Sequence, residues 1–225
     1  LRIGQDEDSL WKILGLYASL GTEVSPGTPK LLANEILDKL PPALWSDSTS
    51  TFYNINLSDG VFYFLLVKRL MIGLQESIED PTERLCHILT KQVYSGDHKQ
   101  GPLGFVRAIA ERYFDTKVLG IELNLRYNKT VKETTTMKFD AIVGNPPYNN
   151  DTIQQGNTGE GGVKRKQASS KIWPQFIKKS FEMLNEGGVV ALIVPTSALK
   201  GTTLKGENFL SRVRQGQIKE IVVGE

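Results

Sequence analysis

The sequence predicts a three-layer α/β domain on a largely parallel sheet, with a helical extension ahead of it. Three observations support this. Short apolar runs such as VVALIVP (189–195) alternate with longer segments whose apolar residues recur at helical spacing. The runs are apolar at successive positions, as strands covered by helices on both faces must be. No internal repeat interrupts the alternation.

The elements follow in order. SLWKILGLYASL (9–20) carries apolar residues at helical spacing. TPKLLANEILDKLP (28–41) predicts a second helix, with Thr28 as its N-cap, Pro29 at its first position and Pro41-Pro42 ending it. Residues 1–50 form the helical extension, and 51–225 the α/β domain. TFYNINL (51–57) predicts a strand and Ser58-Asp59-Gly60 a turn. The segment 60–78 predicts a helix, although its opening VFYFLLV leans towards strand. TERLCHILTKQ (82–92) is a helix, VYSG a short strand, GPLGFVRAIAERYF (101–114) a helix and KVLGIELN (117–124) an apolar strand. MKFDAIVG (137–144) is the next strand.

Residues 149–170 are rich in Gly, Asn, Gln, Ser and Thr, a length of loop that is usually functional or disordered. KIWPQFIKKSFEML (171–184) predicts a helix ended by Asn185-Glu186-Gly187-Gly188. VVALIVP is the most strand-like run, ENFLSRVRQG (207–216) a short helix and IKEIVVG (218–224) a last strand. Trp11, Trp45 and Trp173 read as packing residues and His87 as a plain helix residue.

The chain has 225 residues, 40% hydrophobic and 23% charged, ordinary for a soluble globular protein. Its one cysteine, Cys86, excludes an internal disulfide and a Cys-cluster metal site. With only His87 and His98 besides, no metal is expected. No apolar stretch approaches the ~20 residues of a membrane span, and the opening LRIGQDEDS is not a signal pattern. An intracellular, reducing compartment is expected. The start at Leu1 and the strand-like end suggest a fragment of something longer. Residues 161–225 hold eleven Lys/Arg against five Asp/Glu, a balance that suits a polyanionic partner or a solvated helix face.

Sheets of this kind bind ligands at the carboxyl ends of their strands. NINLSDG, YSGD and NPPY all fall at that edge. Pro146 and Pro147 stop the strand, because neither can donate to a sheet ladder. Asn145 offers a side-chain carbonyl and Tyr148 a flat face for stacking. Together they suit a planar group bearing an exocyclic NH2. Hydrogen bonds from that amine to Asn145 and the Pro146 carbonyl would restore its delocalised lone pair, a catalysis of positioning and electrostatics.

NPPY after FDAIVG resembles the catalytic motif of S-adenosylmethionine-dependent amino-group methyltransferases, especially the N6-adenine DNA methyltransferases of restriction–modification type. TPKLLANEILDKLP resembles the family's N-terminal cofactor motif, placing Thr28 and Pro29 beside the methionine portion of S-adenosylmethionine. KIWPQFIKKSFEMLNEGGVVALIVPTSALKG is similar to the stretch that follows NPPY in the restriction–modification branch. The resemblance implies a Rossmann-like methyltransferase fold, with catalytic Asn145, Pro146, Pro147 and Tyr148. It implies double-stranded DNA as substrate, in the cytoplasm of a bacterial or phage-infected cell. Lys164, Arg165 and Lys166, in the loop after Tyr148, suit phosphate contacts. Reading a target sequence would fall to a C-terminal domain absent from this chain or to another subunit.

The cofactor half departs from the family pattern D-P-x-x-G-x-G-x-F. Asn54 stands where Asp is expected, Ile55 for Pro and Ser58 for the first Gly, while Gly60 survives. Asn54 lacks the charge that a carboxylate offers the cofactor's ammonium group, and Ser58 would resist a positive φ at a cost of about 1 kcal/mol. For the ribose-binding acid, Asp97 and Glu122 compete. Only 16 residues separate Glu122 from Phe139, too few for the helix and strand that would have to intervene. Asp97 is therefore expected on the ribose, with His98 beside it, and Glu122 on the third strand near the adenine ring. Three functions stay open: a divergent DNA adenine methyltransferase, a catalytically silent DNA-binding or assembly subunit, and an RNA or protein-glutamine methyltransferase.

Overall fold

The computed structural model describes residues 7–19, 27–148, 171–196, 203–204 and 207–208. Five strands form one parallel sheet in the order β3–β2–β1–β4–β5. They are β1 (Phe52–Asn54), β2 (Val93–Asp97), β3 (Leu125–Tyr127), β4 (Phe139–Gly144) and β5 (Leu184–Leu192). Around them stand α1 (Glu7–Ser19), α2 (Lys30–Leu37), α3 (Ala43–Ser46), α4 (Val61–Gly73), α5 (Pro81–His87), α6 (Gln100–Phe114) and α7 (Trp173–Glu182). A π-helical turn, Ile88–Gln92, joins α5 to β2. No helix among the described residues is long and apolar enough to cross a membrane.

The period-2 alternation of the strands divides the core between the two faces. Phe52, Ala141 and Val143 face a cluster with Leu10, Leu14, Ala33, Leu37 and the buried side of α4 and α6. Tyr53, Ile55 and Ile142 face a second cluster with Phe176 of α7 and Met183. Helices on both faces of the sheet make the three layers. α4 is buried from Val61 through Val67, which explains its strand-like sequence. A helix enclosed by sheet and neighbouring helices is apolar all round, and periodicity then says little.

Several predicted bounds shift. The strand expected over 51–57 pairs only at 52–54, and the helix expected to reach 78 ends at Gly73. The N-cap of α2 is Pro29 rather than Thr28, whose side chain makes no cap. KVLGIELN is not a strand. Asp115, at φ 51, ends α6, Gly120 turns at φ 64, and Val118 is 85% exposed. Pairing with β2 begins only at Leu125, opposite Ser95. The Asn185–Gly188 stretch does not end a helix but bulges from the start of β5. There Phe139 pairs with Leu184 while Ala141 pairs with Val189. Asp140 ties this bulge down, accepting from Asn185 Nδ2 at 2.7 Å and from the Thr51 amide and hydroxyl at 2.8 and 2.9 Å. Glu207–Asn208 pair antiparallel with Thr203–Leu204 instead of opening a helix. The 149–170 loop and the 218–224 strand lie outside the described residues.

Candidate active site

The carboxyl ends of β1, β2 and β4 lie side by side, with Asn54 opposite Ser95 on one side and Val143 on the other. Beyond Asn54 the chain stays tied to both neighbours, Ile55 N donating to Val143 O at 2.9 Å and Leu57 N to Gly96 O at 3.0 Å. It then turns sharply into α4. Ser58 takes φ 50 and Gly60 φ 82, so the turn keeps its left-handed positions despite the serine.

Asp97 holds this turn. Its carboxylate, 3% exposed, accepts from the Ser58 amide and the Lys99 amide, both at 2.8 Å. Burial pushes its pKa up, against the pull of those two amides. His98 Nδ1 stands 3.5 Å away. The acid expected on the ribose is therefore also a structural clasp.

Asp59 is the residue that sequence reasoning missed. It was read as part of a turn, yet it is 3% exposed. Its carboxylate accepts from Val61 N at 3.1 Å. Burial pushes its pKa up to about 6. The signal was present in S-D-G, where an acid occupies a variable position of the family pattern.

Thr28, Asn56 and Asn145 converge from three segments. Asn145 Nδ2 donates to Thr28 Oγ1 at 3.4 Å, and Asn56 Nδ2 donates to the Asn145 carbonyl at 3.2 Å. Gly144 precedes Asn145 at φ 144, where a Cβ would stand 2.9 Å from Asn54 Oδ1. Asn145 Oδ1 and the Pro146 carbonyl receive no hydrogen bond among the described residues. Pro146 and Pro147 are buried, while Tyr148 is 38% exposed and its carbonyl accepts from Ile172 N. Partial burial raises the Tyr148 pKa, so its ring stays neutral and available for stacking.

Two asparagines of the turn are buried without full partners. Among the described residues neither Asn54 Oδ1 nor Asn54 Nδ2 has one, and Asn56 Oδ1 has none. Such atoms cost free energy unless something fills them. Pro29 stands next to Thr28 at the same edge. Glu122 is exposed and precedes β3, at the amino end of the sheet, so it does not stand on the third strand as expected. Asn128 follows the carboxyl end of β3, its amide donating to Asp97 O at 2.8 Å. Lys164, Arg165 and Lys166 lie outside the described residues. An apolar crevice lined by Leu10, Trp11, Phe64, Val67, Met71 and Phe114 contains none of the strand-end residues.

Residues 75–223 match the sequence profile of the Eco57I restriction-modification methylases. None of the curated proteins compared with the chain matches it. Among solved structures, the M protein of the type I restriction enzyme EcoKI superposes with a TM-score of 0.52 at 15% identity, over 80% of this chain and 36% of that one. A protein from Vibrio vulnificus YJ016, described as the modification subunit of a type I restriction enzyme, gives 0.53 at 14%, over 95% and 42%. A protein from Listeria monocytogenes, described as a class I S-adenosylmethionine-dependent methyltransferase, gives 0.56 at 12%, over 95% and 59%. At these identities the likeness is one of fold, the Rossmann-like methyltransferase fold. The chain spans between 36% and 59% of the length of these three structures.

Proposed function

The chain belongs to the Eco57I restriction-modification methylase family, and from that premise we propose that it methylates the N6 amino group of adenine in double-stranded DNA, using S-adenosylmethionine. The observation that carries this reading is the state of Asn145. Its amide nitrogen is tied to Thr28 and its carbonyl to Asn56, while Oδ1 and the neighbouring Pro146 carbonyl stay unspent among the described residues.

In this reading the target adenine leaves the duplex stack, because its amine is unreachable within it. Asn145 Oδ1 and the Pro146 carbonyl accept the two N–H bonds of the amine and draw it towards tetrahedral geometry, exposing its lone pair. Tyr148 stacks on the ring. Pro147 fixes the turn so that these groups are placed before the substrate arrives. Lys164, Arg165 and Lys166 serve the DNA backbone.

The residues present fit the cofactor by their unfilled polar atoms. Asn54 and Asn56 offer buried groups without partners, and Asp59 a buried carboxylate. Thr28, Pro29, Ser58, Gly60 and Asp97 complete the seat. S-adenosylmethionine supplies an electrophilic methyl group when bound. The test is transfer of labelled methyl groups to duplex DNA, followed by digestion to nucleosides. Label in N6-methyladenine is the expected result. Label on cytosine, RNA or protein would refute the proposed substrate.

Two observations favour a second reading, a silent DNA-binding or assembly subunit. Asn54 is fully enclosed, and both oxygens of Asp97 already hold backbone amides. That reading predicts DNA or partner binding with no cofactor bound.

A further inference from the structure

The turn Asn145–Tyr148 has little backbone with which to hold itself, because Pro146 and Pro147 have no N–H to donate. The chain is anchored on either side of them, Gly144 O accepting from Ile193 N at 3.0 Å and Tyr148 O from Ile172 N at 3.1 Å. Of the carbonyls between those anchors, only that of Asn145 is held among the described residues. A side chain holds it: Asn56 Nδ2 donates at 3.2 Å. Asn56 is itself firmly set. It is 4% exposed, and its neighbours are tied to different strands, Ile55 N to Val143 O and Leu57 N to Gly96 O. Its amide orientation is fixed by the partner, since exchanging nitrogen and oxygen would set Oδ1 against a carbonyl. Oδ1 is then left buried without a donor among the described residues, a cost that an apolar residue filling the same space would not carry. Asn56 also stands at a variable position of the pattern D-P-x-x-G-x-G-x-F, so the bond belongs to this chain.

We infer that Asn56 is a positioning residue for methyl transfer, acting through the Asn145 carbonyl. This rests on the adenine methyltransferase reading above. The peptide linking Asn145 to Pro146 is planar, so fixing the direction of its carbonyl fixes both of its ends. One end is the α-carbon that carries the Asn145 side chain. At the other, the Pro146 ring sets φ and leaves a single free torsion before the Pro146 carbonyl. One hydrogen bond thus aims both acceptors of the target amine, and a small error in their aim is felt in the reaction rate.

Two variants of the 225-residue chain test this, assayed for methyl transfer to adenine in duplex DNA and, by calorimetry, for S-adenosylhomocysteine binding. Asn56→Ala removes the donor. Asn56→Asp keeps the size and one oxygen but sets the other against the Asn145 carbonyl, until protonation, which burial favours, makes it a donor again. At about pH 8 both variants should lose about tenfold or more in kcat, with KM for DNA and S-adenosylhomocysteine affinity within about threefold. As pH falls to about 6, activity relative to the unaltered protein should recover in Asn56→Asp and stay flat in Asn56→Ala. Asp59 and Asp97, in and beside the same turn, are common to all three proteins, so the ratios cancel their titration. Undiminished kcat in Asn56→Ala overturns the inference, and this neutral variant decides it even where Asn56→Asp does not fold. The same pH profile in both variants also overturns it, as does a loss confined to S-adenosylhomocysteine affinity. If the unaltered protein transfers no methyl group to adenine, the reading itself fails, and the positioning role fails with it.

Discussion

The Ser58 amide donates to the Asp97 carboxylate at 2.8 Å, joining the turn after β1 to the end of β2. The bond runs through the backbone of Ser58, so the side chain there is free to change while the clasp is kept. Ser58 nevertheless holds φ 50, a conformation that suits glycine. Ser58→Gly should therefore raise stability, by up to about 1 kcal/mol after the added freedom of the unfolded chain is subtracted. Urea unfolding of the two proteins measures this directly, and a clear loss of stability would show that the serine side chain has a role not visible in its contacts.

Asn145→Ala should reduce methyl transfer by roughly two to three orders of magnitude, the scale of losing one well-placed polar group at a reacting centre. The fold should survive, since Asn145 is only partly buried and its carbonyl, which holds Asn56, remains. Comparing turnover with the urea midpoint separates the two effects. Undiminished methylation by this variant would remove Asn145 from the reaction.

Gly96→Ala should destabilise by roughly 1–3 kcal/mol. An added Cβ would meet Asn128 Nδ2 at 2.2 Å and Tyr53 Oη at 2.4 Å. Both neighbours are buried and hydrogen-bonded to each other, so neither can step aside cheaply. A shift of thermal midpoint near zero would mean that this corner is looser than the distances imply.

Stability should respond to pH through Asp59 and Asp97. Burial lifts the Asp59 carboxyl from 3.8 to about 6, and Asp97 moves in the same direction. The folded state therefore binds protons more tightly than the unfolded chain. The Asp59 contribution is full below about pH 4 and is lost as pH rises through about 6, an effect of roughly 3 kcal/mol. In Asp59→Asn that part of the slope should vanish, leaving the Asp97 part. Unfolding free energies at several pH values between 4 and 7 decide it.

Asp140→Ala should cost about 1–3 kcal/mol, because it leaves the Thr51 amide and Asn185 without their shared acceptor. The loss should fall on the β1–β4–β5 junction. Hydrogen exchange at the Thr51 backbone amide should quicken, and unchanged protection there would count against the junction.

Much of the fold was legible because its signals are local. Apolar strands, helix-period segments and the proline pair after FDAIVG placed the sheet and its carboxyl edge. NPPY stood out in the sequence because its side chains are unusual for a strand end, and the structure sets it just past the end of β4. What escaped depends on tertiary context. KVLGIELN is as apolar as a strand, yet pairing begins only at Leu125, where the chain comes alongside Ser95. Glu122 went with it to the wrong end of the sheet. Thr28 was read as a helix cap, whereas its hydroxyl faces an asparagine 117 residues away. Asp59 was hidden for a similar reason: an acid in a Ser-Asp-Gly turn is ordinary in solvent, and only its burial makes it notable.

The 3.4 Å contact between Asn145 and Thr28 joins the residue expected to grip the target amine to the segment expected to touch the cofactor. If both roles hold, two ligands would meet across this contact and their binding could be linked. If occupancy on the Thr28 side changes the affinity for a base at Asn145 by some factor, the base must change the affinity on the Thr28 side by the same factor. On those roles, the contact would let the arrival of one substrate report on the presence of the other.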